Sequence, residues 1–258
     1  MTDIPVSYTH LDVYKRQPVD VVFVIDNSNS MDASVGDGAG KSRLEATVEA
    51  VNVSIKQIMS SNENSRVAVV IYGLEAETLL PLGHYAPMRD GNYITCDSQY
   101  TDGGWFGNDG YRTTFSAPDG NSVTMEPGER GTNTHLGVDA GMDILTGAQN
   151  IGEGVGKHVP ALILLSDGAA TSSGSGNWWE PSGTSGNGQS TANSYALKVA
   201  MNAAYQKQQV NKHYGVSADS DYACKVYTIG MGIEQLKDTG GRPDNTCLLY
   251  TSSITATV

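Results

Sequence analysis

Uninterrupted apolar runs, rather than alternating ones, constrain this chain most. Asp20-Val-Val-Phe-Val-Ile-Asp26, Arg66-Val-Ala-Val-Val-Ile-Tyr-Gly73 and Val159-Pro-Ala-Leu-Ile-Leu-Leu-Ser166 offer no polar face. A strand of that kind is stable only inside a sheet covered on both sides. The covering helices can be read between the runs. From about Ser42 to Met59, Leu44, Val48, Val51, Ile55 and Ile58 step by four, three, four and three along one face, behind a Ser42/Glu45 capping box. Thr132 to Leu145 reads as a second helix, with Leu136, Ala140, Ile144 and Leu145 inward, and Ala192 to Lys212 as a third. Glu77 to Leu82 is placed beside the second strand, and Lys225-Val-Tyr-Thr-Ile-Gly230 is a further strand. Strands alternating with helices predict an α/β fold: a doubly wound, mostly parallel central sheet flanked by helices.

Two long segments interrupt the alternation. Residues 83–131 show little period but carry Tyr85, Tyr93, Tyr100, Trp105, Phe106, Tyr111 and Phe115; they are read as an insertion whose aromatics either bury one another or meet a partner. Residues 172–191 are rich in Gly and Ser around Trp178-Trp179. The two ends fit no element. Val6 to Gln17 has neither period nor cap, and one back-translation of it opens on GTCTCT and closes on the reverse complement, AGAGAC. Cys247 to Ser252, CLLYTS, is encoded by the same DNA word in another frame. Both segments resemble a translated transposon end of the kind used in preparing sequencing libraries. Residues 1–17 and 246–258 are therefore taken as adapter-like and not native, leaving 18–245 as the domain.

The charge of −12 argues against nucleic acid or an anionic membrane surface as the main partner. No apolar run approaches the roughly 20 residues of a membrane helix. Three cysteines are too few for a disulfide-built scaffold; free thiols are the default for Cys96 and Cys224, with a bridge between them as the alternative. His84, His135, His158 and His213 lack ligand spacing, so solvated or capping roles are expected.

The chemistry gathers at strand ends, where open α/β sheets bind ligands. The first strand runs into Asp26-Asn27-Ser28-Asn29-Ser30, and the third into Ser166-Asp167-Gly168. Gly131-Thr132-Asn133-Thr134 precedes a helix between them. Asp26, Ser28 and Ser30 alternate, so a turning loop can point all three inward. Carboxylates and hydroxyls make an all-oxygen donor set, which suits a hard cation such as Mg²⁺, with Mn²⁺ or Ca²⁺ as alternatives. At most two acids facing a divalent ion leave it electrophilic, with room for a water or an incoming carboxylate. Three lookalikes fail. The Gly36 to Ser42 stretch lacks the first glycine of a phosphate-binding loop, because position 35 is Val. Asp26 lacks the second acid, two residues on, of an aspartyl phosphohydrolase, and Ser166 lacks an esterase elbow.

FVIDNSNSM, GTNTHLG and LLSDG, in this order and on these elements, resemble the von Willebrand factor type A domain with its metal-ion-dependent adhesion site. The resemblance implies Asp26, Ser28, Ser30, Thr132 and Asp167 as ligands, some of them acting through water. Thr132 is preferred to Thr134 because the family's Thr lies five residues before a Gly, here Gly137. Asn29 departs from the family's usual Gly, but Asn tolerates left-handed geometry. The family's last helix and strand are expected to be missing, because the adapter-like sequence cuts in after YTIGMG. VVFVIDNSNSM, RLEATVEAVN, SRVAVVIYG and TLLPLGHY are most similar to surface and pilus-tip adhesins of Gram-positive bacteria. That implies a non-catalytic, extracellular, cell-wall-anchored or pilus-associated module. Its partner would be a host or matrix protein, or a pilus subunit, presenting an Asp or Glu carboxylate. The alternatives are an intracellular type A module of a chelatase or ATPase complex, or a metal-dependent hydrolase using Asp26.

Overall fold

The computed structural model describes residues 17–35, 40–102, 109–167, 170 and 195–231. In chain order they form β1 (Val19–Asp26), α1 (Arg43–Ser61), β2 (Arg66–Tyr72), β3 (Ala76–Gly83), β4 (Thr95–Thr101) and β5 (Gly110–Ser116). There follow β6 (Ser122–Met125), α2 (Thr134–Thr146), β7 (Val159–Ser166), α3 (Tyr195–Tyr214) and β8 (Lys225–Gly230). The main sheet has the order β3-β2-β1-β7-β8. β1 pairs in parallel with β2 and with β7, and β7 with β8; only β3 runs antiparallel, on the β2 edge. The expected mixed α/β architecture, with a mostly parallel sheet flanked by helices, is present.

Alternation along β1 assigns the two cores. Val21, Phe23 and Ile25 point to the side where α1 lays down Leu44, Val48, Val51, Ile55 and Met59. Val22 and Val24 point to the other side, against Val138, Met142 and Leu145 of α2 and Val199, Ala203 and Val210 of α3. The buried face of α2 differs from the expected one. Leu136, Ala140 and Ile144 are only partly buried, and the helix turns Gly137, Val138, Gly141 and Met142 to the sheet. Glycine does not register as apolar in a periodicity count, but here it sets how near the helix can lie. A Cβ on Gly137 would stand 2.7 Å from the Tyr72 ring, and one on Gly141 2.7 Å from Leu162. α1 begins as the sequence indicates: Ser42 Oγ accepts from Glu45 N–H and the Glu45 carboxylate accepts from Ser42 N–H.

At the foot of the sheet Asp20 is fully buried and accepts from Arg66 Nε (2.8 Å) and His158 Nδ1 (2.7 Å). This ties β1 to the strands on both sides of it. His158 is therefore not solvated as expected, but a buried partner of an acid. Cys96 and Cys224 are free thiols.

The insertion is more regular than its sequence suggests. β4, β5 and β6 form a separate antiparallel sheet, joined between β5 and β6 by a Pro118-Asp119-Gly120-Asn121 turn. Tyr93, Phe115, Val123 and Met125 bury against the α1 side of the main core. Tyr100 and Tyr111 stay exposed and meet edge to face, 5.5 Å between centroids. Tyr93 and Phe115 are thus buried in the main core, and Tyr100 and Tyr111 lie at the surface. Trp105, Phe106, Trp178-Trp179, the expected start of the third helix at Ala192, residues 1–16 and 246–258, and the expectation of a last helix and strand lost after YTIGMG lie outside the described residues. Among the described residues no helix is long and apolar enough to cross a membrane.

Candidate metal centre

β1 is where the strand order reverses, with β2 following on one side and β7 arriving on the other, so the carboxyl ends of β1 and β7 flank a crevice. Asp26 ends β1 and Ser166 ends β7, which puts Asp26, Ser166 and Asp167 side by side. Asp26 is fully buried; its Oδ1 accepts from Ser28 N–H (2.7 Å) and its Oδ2 from Ser166 Oγ (2.6 Å). Beyond Asp26 the chain turns through a short 3₁₀ segment, Asn29–Asp32. Buried Met31 anchors this turn, and it leaves Ser28 Oγ and Ser30 Oγ 2.9 Å apart. Ser30 Oγ donates to Asp167 Oδ1 at 2.7 Å. Asp26, Ser28, Ser30 and Asp167 thus form one hydrogen-bonded chain.

Thr132 is buried, 6% exposed, in the segment leading into α2. Backbone bonds fix that segment: Asn29 N–H donates to Arg130 O (3.0 Å), Leu74 N–H to Glu129 O (2.7 Å) and Asn133 N–H to Gly73 O (2.8 Å). Gly73 is needed for so close an approach, since a Cβ there would lie 2.3 Å from Glu129 O. Thr134 Oγ1 lies 3.3 Å from the Tyr72 hydroxyl.

The crevice concentrates buried charge. Burial, first, and the nearby Asp167 carboxylate, second, push the Asp26 carboxyl up to about 6, against the opposing pull of its Ser166 and Ser28 hydrogen bonds. One counter-charge is built in. Arg43, the first residue of α1, donates from Nη1 to Asp167 Oδ2 at 2.6 Å, with side chains 6% and 1% exposed. A basic residue in the first turn of a helix opposes the macrodipole. That mismatch was the one sequence signal that could have flagged Arg43. The second residue that pattern reasoning missed is Arg130, fully buried two positions before Thr132, whose guanidinium holds Asp32.

Among the described residues no three His, Cys, Asp or Glu side chains gather as metal ligands. A metal held here must therefore draw on hydroxyls as well as on the two acids, and the donors present fit a hard, oxygen-preferring cation.

Residues 21–95, from β1 through β3 to the first residue of β4, match the family model of the von Willebrand factor type A domain. The whole fold is consistent with that match. Solved structures similar in fold include the conserved hypothetical protein BatB from Bacteroides thetaiotaomicron, 15% identical over 92% of this chain and 87% of that one, with a TM-score of 0.46. The adhesive tip pilin GBS104 of Group B Streptococcus agalactiae is 19% identical over 61% of this chain and 47% of its own, with a TM-score of 0.37. The PilB minor pilin of Streptococcus sanguinis is 15% identical over 93% of this chain and 54% of its own, with a TM-score of 0.46. This chain thus spans only about half the length of either pilin. No curated protein matches it.

Proposed function

We propose that this chain is a non-catalytic, metal-dependent protein-binding module. Asp26, Ser28, Ser30, Thr132 and Asp167 would hold one divalent cation, Mg²⁺ by donor chemistry, and an acidic side chain of the partner would complete its coordination. The observation that carries the reading is the buried Asp26–Asp167 pair, linked through Ser28 and Ser30 at the switch point of the sheet.

Charge arithmetic supports an acidic ligand. Two carboxylates and the Arg43 guanidinium leave the crevice at −1, and a divalent cation turns it to +1. A carboxylate from a partner brings that to zero, whereas a neutral or basic group leaves it uncompensated in a poorly solvated crevice. The cation itself would supply Lewis acidity toward that carboxylate. Nucleophilic use of Asp26 is disfavoured, because the position two residues on that would carry a second acid is Ser28. Placement on a bacterial surface or pilus, with an adhesive role, rests on the resemblance of the FVIDNSNSM and flanking motifs to Gram-positive adhesins.

Calorimetric titration of Mg²⁺, Mn²⁺ and Ca²⁺ into the whole chain tests the assignment. Binding by the parent and none by Asp26→Ala is expected. Unchanged binding in Asp26→Ala overturns it.

A further inference from the structure

We infer that Arg130 is a positioning residue that sets the geometry of the metal loop and couples it to the inserted sheet; this rests on the metal reading above. Arg130 is 1% exposed and spends its whole donor fork on one neighbourhood. Nε donates to Asn27 O at 2.9 Å, and Nη2 to Asn27 Oδ1 at 3.2 Å and Ser28 O at 3.4 Å. The same guanidinium grips the Asp32 carboxylate with two bonds, Nη1 to Oδ2 at 2.7 Å and Nη2 to Oδ1 at 2.8 Å. Its own carbonyl accepts from Asn29 N–H at 3.0 Å. One residue therefore fastens both ends of the loop that presents Ser28 and Ser30, from Asn27 to Asp32.

Two further facts make this more than a structural staple. Arg130 lies two residues before Thr132, so its own position along the chain is the position of the other ligand segment. A shift of the guanidinium moves Thr132 and the Ser28–Ser30 loop relative to each other. Nη1 also donates to Tyr111 O at 3.2 Å, in the inserted sheet at the strand end that carries the exposed Tyr100–Tyr111 pair. The inserted sheet, whose strand β5 also packs on the 29–32 turn, is thus bonded to that loop through a buried side chain. A lysine cannot replace it: one ammonium keeps the charge but cannot span a carboxylate, two main-chain carbonyls of the loop and a third in the insertion. Groups that orient metal ligands in this way change metal affinity on the order of 10- to 100-fold when removed.

The test is Mg²⁺ affinity by calorimetry on the whole chain, at a temperature where circular dichroism and a thermal melt show each variant folded. Arg130→Met is expected to weaken Mg²⁺ by on the order of 10- to 100-fold. Arg130→Lys and Asp32→Asn should fall between it and the parent. Arg112→Gln, which removes the exposed Arg112–Glu126 pair of the same insertion, should leave affinity unchanged. Hydrogen exchange of the metal-free protein supplies a second readout. Arg130→Met should speed exchange of the 28–32 and 110–112 amides together, and leave the α1 amides as they are. A purely structural role lowers the melting temperature but leaves the affinity of the folded protein alone. Arg130→Met affinity within twofold of the parent therefore overturns the inference while the metal reading stands. Should Arg130→Met not fold, Arg130→Lys and Asp32→Asn carry the same decision. A parent that binds no divalent cation removes the metal reading and this inference together.

Discussion

Asp26→Asn separates a metal ligand from an acid kept for the fold. The amide is the same shape, and both contacts survive: its oxygen still accepts from Ser28 N–H, and its NH₂ can donate to Ser166 Oγ once that hydroxyl rotates. Only the charge is lost. Burial and the Asp167 carboxylate push the Asp26 carboxyl well above the usual carboxylate range, to about 6. Below about pH 4 the carboxyl is protonated in folded and unfolded chains alike, and it costs nothing. As the pH rises toward 6 the unfolded chain releases its proton first, so the parent loses stability. Above about pH 6 the folded chain is ionised too and the loss levels off, at about 3 kcal/mol. For a domain of this size that corresponds to roughly 6–12 °C in melting temperature. In chelator, Asp26→Asn is therefore expected to melt above the parent at pH 7.5 by up to that amount, and level with it near pH 4. Added Mg²⁺ should reverse the order, because mass action stabilises the parent alone. Melts followed by circular dichroism from pH 4 to 8, with chelator and with Mg²⁺, measure both effects. A variant that melts below the parent at pH 7.5 in chelator, or a difference that does not change with pH, refutes the reasoning.

Two further outcomes follow from the same structure. Arg43→Met leaves the Asp167 carboxylate buried without its guanidinium, and should cost about 3–5 kcal/mol in chelator. Mg²⁺ should restore more stability to it than to the parent; equal metal-induced shifts in melting temperature would count against Arg43 as the built-in counter-charge. Burial pushes the Cys96 thiol up to about 11 and the Cys224 thiol up to about 12. Thiolate at pH 8 is then about one part in a thousand or less at either position, so native alkylation resolved by peptide mass spectrometry should label neither until the chain is unfolded.

The sheet was legible because a strand buried on both faces has no alternative: β1, β2 and β7 fall on the three apolar runs, and the α1 stripe and its capping box were plain. The buried face of α2 was not, since Gly137 and Gly141 carry no hydrophobic signal and their meaning is the closeness they allow to Tyr72, Val24 and Leu162. β4 to β6 escaped because strands such as TCDSQYT are polar on both faces, although the Pro118-Asp119-Gly120-Asn121 turn was there to be read. At the site, the spacing of Asp26, Ser28 and Ser30 and the strand end at Asp167 put those four within reach of each other by local geometry. Arg43, Asp32 and Arg130 act across 124 and 98 positions of chain separation, and no local spacing encodes such pairs.

The energetics of the site give the proposed module its conditional behaviour. Metal-free, the crevice carries two buried carboxylates against one guanidinium, and an approaching acidic side chain meets a net negative charge. With a divalent cation in place the same side chain meets a net positive one. The affinity of an acidic partner must then rise with metal occupancy, and linkage requires the partner to raise metal affinity by the same factor. Ser30, Asp167 and Arg43 tie the loop to β7 and α1, while Arg130 ties it to the insertion and to the Thr132 segment. A cation drawing Asp26, Ser28 and Ser30 toward itself would therefore pull on β7, α1, the insertion and the Thr132 segment together. The stability given up by burying Asp26 as an ion is recovered only when the cation is bound. On the proposed reading, this balance of charges would produce a weak metal site that tightens on meeting an acidic partner.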